Sequence, residues 1–249
     1  MSDFDRNYAT ATRGVGAGRA VAIDAGLRAY MLRVYNYMAI GVAITGAAAW
    51  IVFNMAVTQT GALTPFGQTL FQSGFYWVLL FAPLALVFFL SFRIQHMAPA
   101  TAQAVFFFYA AVLGVSLAPI FLVYTHASIA RVFFISAASF GALSIYGYTT
   151  QRDLSPIGTF LIMGLFGLIL ASLVSMFFPS PGLSFVISVA GVLIFAGLTA
   201  WDTQRIKEMY SVMDDGTVAG RKAVMGALKL YLDFINLFLF LLRLMGDRR

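Results

Sequence analysis

The 249-residue chain contains no cysteine, which removes disulfides, cysteine nucleophiles and thiolate metal sites from consideration. It is also poor in charge. Asp, Glu, Lys and Arg make up 10% of it, where a soluble domain averages roughly 25%. No long Lys/Arg run or nucleic-acid motif accompanies the net charge of +6, so nucleic acid is not an expected partner. What is abundant is apolar: 61% hydrophobic and 16% aromatic, in several runs of about 18 residues or more. This composition specifies an all-α integral membrane protein with short loops and no room for a separate soluble domain. Residues 1–29 carry Arg6, Arg13, Arg19 and Arg28 but no apolar run. They read as a polar, mobile N-terminal tail and not as a signal peptide, ahead of a transmembrane domain over residues 30–249.

Seven spans are expected, at about 30–57, 75–92, 101–124, 132–148, 157–178, 183–201 and 228–245. Residues 59–74 read as a polar, turn-rich loop without charge. Pro83 should kink the second span unless a neighbour satisfies the carbonyl it frees. Pro119, in the third, reads as a static kink. The glycines inside spans, such as Gly147 and Gly191, read as helix-packing positions. Alternate loops hold the positive charge: the N-terminal tail and the loops at Arg93, Arg152 and 205–222. The opposite set has Arg131 and the terminal Arg243, Arg248 and Arg249. The positive-inside rule then makes the N-terminus cytoplasmic, and it sends His96 and His126 to opposite faces, against a two-histidine metal site.

Few ionisable groups touch the spans, and each is costly enough to be a functional candidate. Asp233 lies in the last apolar run, Leu228 to Met245, and Asp202 at the end of the preceding one. With that helix starting at Leu228, Asp233 would lie roughly 8 Å below its start. Lys229, Asp233 and Asn236 share one helix face, which should point into the protein. The plain structural alternative is an ion pair from Lys229 to Asp233, four residues on, and for Asp202 a pairing with Arg205 one turn on. If Asp202 and Asp233 face one cavity, they cannot both ionise cheaply. They should then share a proton, titrate as a unit and, when deprotonated, attract a hard cation such as Ca2+. Arg93, at the inner end of span two, reads as a membrane anchor or as a partner of those carboxylates.

The run Leu198-Thr-Ala-Trp-Asp202-Thr-Gln-Arg-Ile-Lys207, followed by Leu228-Lys-Leu-Tyr-Leu-Asp233-Phe-Ile-Asn-Leu-Phe238, closely resembles the Bax inhibitor-1 family. The resemblance extends over about residues 30–246 and looks like a bacterial member. It implies seven transmembrane helices with the last one central, and a pH-sensitive calcium leak channel in the inner membrane. The family's hydrogen-bonded aspartate pair matches Asp202 and Asp233, and Arg93 is the nearest match to an arginine that bears on that pair. No resident cofactor is implied; the bilayer, protons and Ca2+ are the expected partners. Some bacterial members modulate a membrane quality-control protease, so a regulatory interaction partner is the competing reading.

Enzymatic readings fare worse. An intramembrane aspartyl protease also needs two acids, but its Gly-x-Gly-Asp signature is replaced here by Leu230-Tyr-Leu-Asp233. A serine enzyme of the rhomboid kind lacks a Gly-x-Ser-x-Gly candidate, and a proton-coupled transporter lacks a readable substrate pocket. The expectation is a protein without catalytic residues.

Overall fold

A computed structural model describes the backbone from Asp3 to Arg249 except Gln59, and the side chains from Ala25 onward, Gln59 again excepted. Among the described residues seven helices are long and apolar enough to cross a membrane, and the chain is an all-α membrane protein. The spans are α1 (Asp3–Ala56), α3 (Phe75–Arg93), α4 (Pro99–Leu117) continued by α5 (Ile120–Val123), α6 (His126–Thr149), α7 (Ser155–Phe177), α8 (Pro181–Glu208) and α9 (Gly216–Met245). Within the described side chains the apolar stretch of α1 takes in Ala25–Ala56. Gly26 is already packed, leaving room for the Tyr210 hydroxyl where a Cβ would collide. The rest of the expected mobile tail, residues 1–24, falls outside the described side chains.

Local signals set the boundaries. Pro99 and Pro181 open α4 and α8 at positions whose N–H would have no helical partner. Thr125 caps α6 by accepting from Ser128 N at 3.2 Å, and Asp215 caps α9 by accepting from Val218 N at 2.7 Å. The expected loop over 59–74 contains a helix, α2 (Pro65–Gln72), because Thr64 caps it and Pro65 starts it. Gly67 brings α2 directly against the Ala56 carbonyl, an approach that a Cβ would block.

Pro83 does not interrupt α3. The carbonyl it frees, that of Leu79, accepts instead from the Ser116 hydroxyl of α4. The condition for an unbroken span is therefore met by a neighbour. Pro119 does break its span, separating α4 from α5.

The last helix is the most buried. Two-thirds of the most apolar stretch of α9 is covered (67%), against 6% for α7. Its principal neighbours are α1, α4, α6 and α8, while α3 packs on α4 and α7 on α8. The outer faces of α3 and α7 expose large side chains such as Phe92, Phe160 and Phe177, as lipid-facing helices do.

Two helices extend further than their apolar runs. α8 continues to Glu208, so Asp202 lies inside it, about 9 Å before its end. α9 starts at Gly216, so Asp233 lies about 25 Å along the helix instead of 8 Å. At the α8–α9 connection Lys222 pairs with Asp214 at 2.6 Å. At the opposite end the C-terminal residues fold back on the start of α6. Arg131 pairs with Asp247 at 2.8 Å, Asp247 N donates to Ser128 Oγ at 2.9 Å, and Arg249 approaches His126 at 3.3 Å. The basic terminus is thus tied down. His96, just after α3, lies by the start of α9, where Arg221 donates to the Gln95 carbonyl; His126 lies by its end. The two histidines do not form one site.

Candidate functional site: a carboxylate pair between α8 and α9

From Trp201 to Lys207 nearly every side chain of α8 engages a different neighbour. Gly158 of α7 makes room for the Trp201 indole, and Gly147 of α6 lets the Ala200 carbonyl approach to where a Cβ would stand. Thr203 bonds to Ser144 of α6 at 2.9 Å, and Ser144 to Tyr35 of α1 at 2.5 Å. Gln204 accepts from Leu154 N at 2.9 Å and donates to the Arg152 carbonyl at 2.8 Å, tying the α6–α7 loop to α8. Lys207 donates to the Tyr148 carbonyl at 2.8 Å. Ile206 fills the space left by Gly226 of α9. This stretch is gripped from several sides, which holds the carboxylate of Asp202 in a defined direction.

That direction is toward α9. Asp202 and Asp233 face the same cavity, and both are buried. Lys229 Nζ is 3.4 Å from Asp202 Oδ1. The alternative pairing of Lys229 with Asp233 along its own helix is thus replaced by one across helices. Nor does Arg205 form the alternative ion pair with Asp202; its guanidinium stacks over the Trp201 ring, 5.3 Å from the centroid. Asn236 donates to the Leu232 carbonyl at 2.8 Å. Asp202, Arg205, Lys229, Asp233 and Asn236 all border one cavity of about 430 Å³, closed on its other side by Leu165 and Ile169 of α7. One oxygen of the pair, Asp233 Oδ2, is buried with no hydrogen-bond partner among the described residues.

Arg93 is not part of this arrangement. It is exposed in the last turn of α3, a helix that packs on α2 and α4. Among the described residues it makes no ion pair. The similar depth expected for Arg93 and the two acids does not hold. α9 starts at Gly216 and Arg221 meets Gln95 beside Arg93, so Asp233 lies about 18 Å further along. In addition, α4 stands between α3 and the α8–α9 pair. Conversely, the hydroxyl relay Tyr35–Ser144–Thr203 and the role of Gln204 were not foreseen; single hydroxyls and amides in apolar runs carry no periodic signal.

The geometry coincides with the two acidic motifs, and the comparison with known proteins agrees. Residues 27–249 match the family model described as Inhibitor of apoptosis-promoting Bax1. The chain belongs to the Bax inhibitor-1 family. Among family relatives, a protein of Rickettsia prowazekii is 45% identical over 251 residues, covering the whole of both chains. One from Caulobacter vibrioides is 44% identical over 252 residues with the same full coverage. The inner membrane protein YbhL of Escherichia coli K12 is 44% identical over 227 residues, 90% of this chain and 94% of its own. Neither the family description nor these names indicates an enzymatic activity.

Proposed function

We propose that the protein is a pH-sensitive cation leak of a bacterial inner membrane, with Ca2+ as the permeating ion and the Asp202–Asp233 pair as its proton-dependent element. The N-terminus would be cytoplasmic, as the charge distribution of the loops favours. One observation carries the reading: Asp233 Oδ2 is buried without a partner, beside a second carboxyl, in a cavity that also holds Lys229.

The charge count explains why protons would matter. With one proton shared between the two carboxyls, Lys229, the cation in contact with Asp202, balances the remaining negative charge, while Arg205 borders the same cavity with its guanidinium over Trp201. Removing that proton sets two negative charges face to face, with Lys229 in contact and Arg205 further off to offset them. Adding a second proton leaves Lys229 without a counter-charge. The first change leaves charge uncompensated on buried carboxylates, which is strongly unfavourable, and the second removes the partner of a partly exposed lysine, so proton concentration biases the joined arrangement against a separated one. Calcium is cargo in this reading. A resident Ca2+ site takes about six to eight oxygens, and no third acid or histidine joins the pair among the described residues.

Calcium flux into proteoliposomes between about pH 6 and pH 8 tests the proposal, with wild type, Asp202→Asn and Asp233→Asn. Flux that varies with pH in wild type and loses that dependence in both variants is expected. Flux indifferent to pH and to both substitutions overturns it. Unchanged flux combined with altered turnover of membrane proteins in cells would point instead to a regulator of a membrane protease.

A further inference from the structure

α1 and α6 stand side by side across the bundle yet scarcely touch; each packs on α9, and otherwise on α4 and α8 respectively. Two cavities fill the gap between them. One, of about 670 Å³, lies between Arg28 and Tyr35 of α1 and Gly141 and Tyr148 of α6. The other, of about 290 Å³, lies between Gly46 and Trp50 of α1 and Ala130 and Phe134 of α6, with Phe234 and Phe238 of α9 as its floor. Along α1 the lining positions recur in the sets 28/31/32/35 and 42/45/46/49/50, and along α6 in 126/129/130/133/134 and 140/141/144/145/148. These are helical spacings, so a single face of each helix looks into the gap from one end of the bundle to the other. The two cavities follow one another along this crevice between α1 and α6, and the Tyr35–Ser144 hydrogen bond ties the two helices together at the larger one.

Size and charge select the occupant. A membrane-spanning helix is a cylinder about 10 Å across and 30 Å long, more than twice the volume the two cavities enclose. Flexible hydrocarbon chains fit such a slot where a helix does not. The walls are apolar and have room: a Cβ added at Gly46 or Gly141 would meet nothing within 4 Å. The larger cavity ends at Arg28, which is exposed and makes no ion pair among the described residues. Beyond Tyr148 stands a second cation, Lys207, 5.3 Å from the centre of the tyrosine ring. The crevice is therefore largely apolar along its length, with a cation, Arg28, lining its larger end; at the other end Arg249 stands behind the lining His126.

We propose that this crevice seats an anionic phospholipid, with acyl chains between α1 and α6 and the phosphate on Arg28. A guanidinium presents paired N–H donors that match two phosphate oxygens, and Arg28 holds them at the end of an apolar slot. The proposal is independent of the leak and of the carboxylate pair.

Native mass spectrometry of the full chain, stripped of lipid in detergent and titrated with phosphatidylglycerol or phosphatidylcholine, tests it. Wild type should retain phosphatidylglycerol in preference. Arg28→Ala should reduce that preference about tenfold, the loss expected for a charged hydrogen bond. Gly46→Leu and Gly141→Leu, which fill open space, should lower the occupancy of both lipids. Monodisperse variants that bind as wild type does overturn the proposal. A photo-crosslinker at position 145 in native membranes adds a second readout: adducts of lipid mass support the assignment, and adducts with another protein or a second copy overturn it.

Discussion

Replacing Lys229 by Met tests which acid this lysine serves. Its ammonium is 3.4 Å from Asp202 Oδ1, a separation at which two unit charges attract by about 5 kcal/mol at an effective dielectric near 20. Much of that is offset, because both groups lose hydration. Lys229 nevertheless keeps 31% of its side chain exposed and Asp202 12%, so water screens the pair in part. The net coupling should be about 1–3 kcal/mol, between the value of a surface pair and the cost of breaking a buried one. Lys229→Met strands the Asp202 carboxylate, whereas Lys229→Met with Asp202→Asn removes the stranded charge as well. The double variant should therefore lose less stability than the two single losses added. Unfolding by dodecyl sulfate in mixed micelles, followed by circular dichroism, supplies the four free energies. The same cycle with Asp233→Asn should show weaker coupling, because the lysine's ion pair is with the other helix. A coupling to Asp202 below about 0.5 kcal/mol, the margin within which independent sites add, refutes the assignment.

Ser116→Ala should cost about 1–3 kcal/mol by orphaning the Leu79 carbonyl, and adding Pro83→Ala, which restores the missing N–H, should recover part of the loss in the same micelle assay. Gly147→Ala would place a Cβ 2.1 Å from the Ala200 carbonyl oxygen; the forced separation of α6 from α8 should cost about 1–3 kcal/mol and lower the melting temperature in detergent. The Asp153 carboxyl accepts from Ser155 N at 2.8 Å, and this hydrogen bond holds it below the usual carboxylate range. Because the folded value is depressed, its contribution is present at neutral pH and is lost as pH falls through that range. Asp153→Ala should therefore melt below wild type at neutral pH, with the gap closing in acid.

Much of the fold was legible because membrane insertion depends on local composition. Long apolar runs with few charges must span as helices, since no water is available to satisfy their backbone groups. The same logic singled out Asp202 and Asp233: an acid in such a run is costly wherever its helix goes. Helix ends were less legible, because polar residues at the membrane surface continue a helix as readily as they end it. Glu208 and Gly216 mark ends of α8 and α9 that lie well outside the apolar runs. The Asp215 cap was the available signal for the second of these, and Thr64-Pro65 for α2.

Partners belong to the tertiary structure. Lys229 had an acid on its own helix four residues away, yet its ion pair crosses to Asp202 because α6 and α7 press Trp201 and its neighbours against α9. Arg93 stands by the start of α9, where Arg221 meets Gln95, about 18 Å short of Asp233 along that helix, and α4 lies between it and the pair. The crevice between α1 and α6 is legible in neither helix, since an apolar face reads the same whether protein or lipid covers it. Transfer into the bilayer is a property of each segment, and the amino-acid sequence determines it outright. Which faces then meet depends on the close approaches that single glycines permit, and those exist only once the helices are assembled.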